Sequence, residues 1–171
     1  VAGNKLVFEG SIDYHSHEHI YFYDISNATW TKHKLSQPRT GFSTIAAGNK
    51  IFFAGGGYLY DNSWYPISEN TVDIYDINTD SWSVTNMKEA RSGAIAITIG
   101  NKVCFAGGIH NSAGDNLNIL KTVEIYDLVS KTWSLYQPTS NIQSISSGVK
   151  GGDKMYFTGG SDFEVSDIIE I

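Results

Sequence analysis

Histidines 15, 17 and 19 alternate within His15-Ser16-His17-Glu18-His19, and an extended backbone turns alternate side chains to the same side. Three imidazoles so placed form a set that zinc or copper could use. Three ligands two apart on one strand do not converge easily on tetrahedral angles, however, and no fourth ligand is identifiable. The triplet therefore reads as a solvated loop, with metal ligation by His15, His17 and His19 as the sharper alternative. Cys104 is the single cysteine, which excludes an internal disulfide and leaves a thiol able to act as a nucleophile only where its surroundings favour thiolate. Asp24, Asp76 and Asp127 each follow a tyrosine. A carboxylate that recurs in one local context suits a turn, where it accepts from backbone N–H groups, better than a catalytic acid needed once. Tyr58, Tyr60, Trp64 and Tyr65, with His110, Asn111, Asp115 and Asn116 and with Arg39 and Arg91, offer another chemistry. Planar rings, amides and guanidinium forks recognise a surface without transforming it.

The elements that must position these residues repeat. Gly48-Asn49-Lys50-Ile51-Phe52-Phe53-Ala54-Gly55-Gly56 is followed by Val72-Asp73-Ile74-Tyr75-Asp76 and Trp82. Gly100-Asn101-Lys102-Val103-Cys104-Phe105-Ala106-Gly107-Gly108 is followed by Val123-Glu124-Ile125-Tyr126-Asp127 and Trp133. A partial copy runs from Gly3-Asn4-Lys5 through Tyr23-Asp24 to Trp30, and another from Gly152-Asp153-Lys154 through Gly159-Gly160 to Ile169-Glu170-Ile171. In each copy that reaches it the tryptophan stands 7 residues after the tyrosine of Tyr-Asp, and successive tryptophans are 52 and 51 residues apart. Such a period marks a repeat architecture. Short runs of β-branched and aromatic residues bounded by glycine read as strands, and no helical period is sustained.

These marks resemble the kelch repeat, and the resemblance covers nearly the whole chain. It implies an all-β fold of four-stranded antiparallel β-propeller blades, here an open or partial propeller. The expected division is 1–39, a blade lacking its first strand; 40–91 and 92–140, full blades; and 141–171, a blade lacking its last strand. Gly41, Ala46, Ala47, Gly93, Ala94 and Ala96 suit innermost strands, where blades converge and space is least. Gly55-Gly56 and Gly107-Gly108 suit a strand end that needs positive φ or a close approach. Trp30, Trp82 and Trp133, being in phase, read as packing between blades, with Trp82 expected to be buried. Trp64 lies outside the repeat and is the tryptophan left for ligand contact. Cys104 aligns with Val7, Phe52 and Tyr156, strand positions, and so reads as a small buried hydrophobe.

In antiparallel blades the connections between second and third strands emerge on the same face as those between blades. The candidate ligand face therefore gathers Arg39, Arg91, Tyr58, Tyr60, Trp64, Tyr65 and His110. Ser140 stands where a third arginine would continue the series. Taken with the resemblance, this implies a non-catalytic scaffold for protein or glycan recognition, needing no cofactor. The alternative is part of a carbohydrate-active enzyme of the galactose-oxidase or sialic-acid-epimerase kind. A galactose oxidase would show a Tyr-Cys-Tyr-His-His copper set, of which no convincing arrangement is present.

Charge and hydropathy narrow the partners. The net charge is −6 and the 12 Lys and Arg are scattered, so no basic stripe is available to successive phosphates and nucleic acid is excluded as a partner. No apolar run reaches the 18 or so residues of a membrane span. Asn27-Ala28-Thr29 fits a glycosylation acceptor and admits an extracellular or cell-surface setting. The incomplete outer copies imply a segment that needs further blades of a longer chain or self-association.

Overall fold

A computed structural model of the chain describes residues 3–10, 19–58, 67–112, 117–138, 144–159 and 166–170, the last of these for backbone alone. The described elements are strands throughout. Blade 1 is the three-stranded sheet β1 (Lys5–Gly10), β2 (His19–Asp24) and β3 (Thr29–Lys34). Blade 2 orders β4 (Ser43–Ala47), β5 (Lys50–Ala54), β8 (Thr71–Asp76) and β9 (Ser81–Asn86), with the hairpin β6 (Gly57–Tyr58) and β7 (Ile67–Ser68) between β5 and β8. Blade 3 repeats this with β10 (Ile95–Ile99), β11 (Lys102–Ala106), β14 (Val123–Asp127) and β15 (Thr132–Tyr136), and with the hairpin β12 (Ile109–His110) and β13 (Asn118–Ile119). Blade 4 is β16 (Ser147–Gly151), β17 (Lys154–Gly159) and β18 (Ser166–Glu170). All the pairings are antiparallel, and no sheet closes on itself among the described residues.

Alternation along the middle strands builds the core. In β5, Ile51 and Phe53 pack against Ile20, Phe22 and Leu35 of blade 1, while Phe52 and Ala54 turn the other way to Val103, Phe105 and Tyr126 of blade 3. In β11, Cys104 and Ala106 face Met155 and Phe157 of blade 4. A strand with a blade on each side is apolar on both faces, which is why Lys-Ile-Phe-Phe-Ala and Lys-Val-Cys-Phe-Ala read as continuous runs. The innermost strands lie side by side, the Ser43 hydroxyl donating to the Ala94 carbonyl at 2.5 Å and the Gly93 amide to the Gly41 carbonyl at 2.8 Å.

The tryptophans reach the preceding blade. The Trp82 ring lies 6.3 Å from that of Phe22 and 5.9 Å from that of His33, and Trp133 Nε1 donates to Thr85 Oγ1 at 3.0 Å. Trp82 is half-buried rather than fully buried, because it stands on an outermost strand. Trp30 faces away from blade 2, is 58% exposed, and packs at a tilt on Phe8 and Tyr23, with ring centroids 5.2 and 4.9 Å away.

Each Gly-Asn-Lys turn is tied to the Tyr-Asp turn beside it. Asp76 Oδ1 accepts from the Asn78 amide at 3.0 Å and from Asn49 Nδ2 at 2.6 Å, while Lys50 Nζ reaches Oδ2 at 2.5 Å. Asp127 accepts from the Val129 and Ser130 amides and from Asn101, and Asp24 from the Ser26 amide, Asn4 and Lys5. The recurrent aspartate is a turn residue. In blade 4 the last pairing departs from the repeat by one residue: Phe105 faces Glu124, whereas Phe157 faces Ile169, with a bulge between Phe157 and Gly159.

Candidate functional site

The loop face begins at the glycine pairs. Gly56 and Gly108 have φ of 87° and 89°, and a Cβ there would lie 2.5 Å from the Thr40 carbonyl oxygen and 2.6 Å from that of Ser92. Glycine is therefore required both for the conformation and for the approach of the strand entering each blade. Beyond the pair the chain continues as a hairpin. Gly57 pairs with Thr40 and with Ser68, and Ile109 with Ser92 and with Ile119. The two hairpins are joined, because the Ser68 amide donates to the Asn111 carbonyl at 2.8 Å and the Ser68 hydroxyl to the Ile109 carbonyl at 3.0 Å. One ribbon, β6-β7-β12-β13, thus runs across blades 2 and 3.

Tyr58 stands on this ribbon, 38% exposed, and Leu117 and Ile119 add apolar surface. His110 is half-buried, its Nδ1 2.9 Å from the Ala90 carbonyl oxygen. With Nδ1 carrying the proton the ring holds the strand that enters blade 3. Tyr60, Trp64 and Tyr65 lie outside the described residues, as do His15 and His17; His19 is on β2 between Gly10 and Lys34. Among the described residues no three histidine, cysteine or carboxylate side chains gather as metal ligands.

Arg39 and Arg91 are corrected from surface to interior. Both are buried. Arg39 donates through Nε to the Gly55 carbonyl at 2.8 Å and through Nη2 to the Phe53 carbonyl at 2.9 Å and Asp73 Oδ2 at 2.6 Å. Arg91 donates through Nη1 to the carbonyls of Gly107 and Thr122, and through Nη2 to Thr122 Oγ1 and Glu89 Oε2. A buried guanidinium whose terminal nitrogens are spent on strand-end carbonyls and neighbouring side chains is not presented to a ligand. Each arginine instead fastens the segment between two blades to the blade it enters.

Two buried carboxylates beside these arginines are not evident from the repeat alone. Asp73 and Glu124 interrupt the apolar third strands at the same repeat position, and an acidic residue within a run buried on both sides was the available signal. The two junctions differ. Asp73 is fully matched by Arg39, by the Ser36 amide at 3.0 Å and by the Ser36 hydroxyl at 3.1 Å. Glu124 accepts from the Glu89 amide at 2.8 Å but lies 3.9 Å from Arg91, and both its Oε2 and Arg91 Nε are buried without a hydrogen-bond partner. Burial raises the Glu124 carboxyl above its ordinary range, against the pull of the Glu89 and Lys88 amides and of Arg91.

Other reactive groups are occupied. Cys104 is buried and its thiol is pushed up to about 12 by that burial. Asp24, Asp76 and Asp127 are held below the usual carboxylate range, chiefly by the Ser26 hydroxyl, Lys50 and the Ser130 amide respectively.

The KLHDC2/KLHL20/DRC7 Kelch-repeats domain family matches residues 1–160. The chain is 29% identical over 140 residues to Kelch repeat and BTB domain-containing protein F47D12.7 of Caenorhabditis elegans, covering 78% of this chain and 22% of that protein. It is 30% identical over 134 residues to human Kelch repeat and BTB domain-containing protein 2, covering 71% and 21% respectively. A further human relative, Rab9 effector protein with kelch motifs, is 30% identical over 96 residues, 51% of this chain and 24% of that protein. The chain thus spans between a fifth and a quarter of the length of these relatives.

Proposed function

We propose that this chain, which belongs to the kelch-repeat family, is a non-catalytic scaffold that recognises another protein through the face bearing the β6-β7-β12-β13 ribbon. The observation that carries this reading is the joining of two loop hairpins into one surface upon blades whose own side chains are consumed in packing. Variable loops on a rigid repeat are where binding resides. Protein is favoured over glycan because the exposed groups of the ribbon, Tyr58, Leu117 and Ile119, are largely apolar, while the arginine forks that would grip sugar hydroxyls or carboxylates are buried. Support over a carbohydrate-active enzyme comes from Cys104 and the three turn aspartates, each held in a structural role.

The scaffold works within a larger set of blades. Trp82 and Trp133 are covered by the blade before them, and Trp30 with Phe8 presents the same kind of aromatic face, exposed. Another blade, of this chain type or of a longer parent, is the occupant that matches this face.

The test uses cross-linking from extracts of the source cells with mapping of the cross-linked residues, alongside a glycan array probed with the same chain. Tyr58→Ala and Leu117→Ala are expected to weaken capture of the same protein, while Val129→Asp on the opposite face leaves it unchanged. Loss with Val129→Asp alone, or binding confined to the glycan array, would overturn the reading.

A further inference from the structure

Blades 2 and 3 carry the same hairpin, but among the described residues only that of blade 2 has its outer edge covered. In blade 2 the segment Ile109–Asn111 of the next blade lies along β7. The Ser68 amide donates to the Asn111 carbonyl at 2.8 Å, and the Asn111 amide donates to Ser68 Oγ at 3.0 Å. Ser68 is left 8% exposed.

The repeat puts Ile119 where blade 2 has Ser68. Gly57 faces Ser68 as Ile109 faces Ile119, and the Glu69 amide donates to the Gly56 carbonyl at 2.8 Å as the Leu120 amide donates to that of Gly108 at 2.9 Å. Because the amides of Glu69 and Leu120 point inward, antiparallel alternation turns those of Ser68 and Ile119 outward. The Ile119 amide finds no acceptor among the described residues, and its side chain is 49% exposed. Leu117, two residues earlier and on the same side, is 37% exposed.

The connections differ in length. The connection from second to third strand takes residues 55–70 in blade 2 and 107–122 in blade 3, but only 160–165 in blade 4, where β17 ends at Gly159 and β18 begins at Ser166. Among the described residues the ribbon ends at β13 with an outward amide and two apolar side chains, continuous with the interface that already joins the two hairpins. An uncovered strand edge of this kind is a template for pairing with another chain.

We propose that β13 takes an extended segment of a partner protein by strand addition, its main chain running along β13 as Ile109–Asn111 runs along β7. Isoleucine in place of the hydrogen-bonding Ser68 calls for an apolar partner residue seated against Leu117 and Ile119. In this recognition mode main-chain hydrogen bonds supply affinity and alternate side chains supply selectivity. The inference rests on the protein-recognition reading and fails separately from it, because Tyr58 reports on the rest of the face and Ile119 on the edge.

The experiment follows backbone amides of the whole chain by NMR, with a synthetic peptide of residues 107–112, the sequence that seats on β7, as the probe. In the free chain the Ile119 amide is expected to exchange with solvent at least about tenfold faster than that of Ser68, despite their matched positions. Peptide at millimolar concentration shifts and slows the amides of Leu117 and Ile119 and leaves Tyr58 unmoved. Ile119→Pro, which removes the donor, abolishes the effect, and Ile119→Lys, a milder change at an exposed site, weakens it. Slow Ile119 exchange in dilute free chain would show the edge already covered. Protection that grows with chain concentration would make a second copy the occupant, and an absent or displaced peptide response would remove the site; each of these overturns the proposal.

Discussion

Replacing Glu124 by glutamine should remove one loss of stability that the parent incurs as pH rises from mildly acidic to neutral. Glu124 is buried, receives the Glu89 amide on one oxygen, and has neither a partner for Oε2 nor contact closer than 3.9 Å with Arg91. Burial raises its carboxyl above the ordinary value of 4.5, and the nearby Glu89 carboxylate adds to the rise. The folded state therefore holds the proton after the unfolded chain has released it. Stability from this group is fully present below about pH 4.5 and is lost as pH rises through the higher folded value. The loss is set by ionising a buried carboxylate with one unmet oxygen, about 1–3 kcal/mol. Glutamine keeps an acceptor for the Glu89 amide and never ionises. Urea unfolding at fixed ionic strength from about pH 4.5 to 8 should show the variant gaining on the parent by that amount. His33, lowered by burial, and the three turn aspartates are common to both chains and cancel in the difference. The double change Lys88→Ser with Glu124→Asp, which copies the matched arrangement around Asp73, should flatten the profile while keeping the charge. Parallel profiles for parent and Glu124→Gln would refute the argument that this carboxylate is poorly matched.

Arg39→Ala strands Asp73 in the interior and should cost about 3–5 kcal/mol in denaturant unfolding, the range for breaking a buried pair; a neutral result would return Arg39 to the surface. Trp82→Ala removes a half-buried ring packed on the preceding blade and should lose about 2–3 kcal/mol, against less than about 1 for the exposed Trp30→Ala, so equal losses would contradict the packing described. With its thiol pushed up to about 12, Cys104 should alkylate at pH 8 about a thousandfold more slowly in the folded chain than in urea, and comparable rates would mean that the strand opens readily. The aspartates act opposite in sign to Glu124. Their stabilisation is present above the ordinary value of 3.8 and is lost as pH falls through their lowered values, which a separate acid branch of the unfolding profile should show.

Much of this molecule is written locally. The strands, the turn role of Asp24, Asp76 and Asp127, the burial of Cys104 and the packing of Trp82 and Trp133 between blades all follow from period-two alternation and a fixed repeat phase, which act over a few residues. The fate of Arg39 and Arg91 was not legible in that way. Their exposure depends on carbonyls at the ends of strands in the following blade and on Asp73 and Thr122, 34 and 31 positions away, and a guanidinium suits a ligand surface as well as a buried junction until those acceptors are brought around it. The ribbon was hidden for the same reason. Ser68 and Ile119 occupy one repeat position, yet among the described residues one is covered and the other is not, because a strand edge is closed by what the neighbouring blade brings to it.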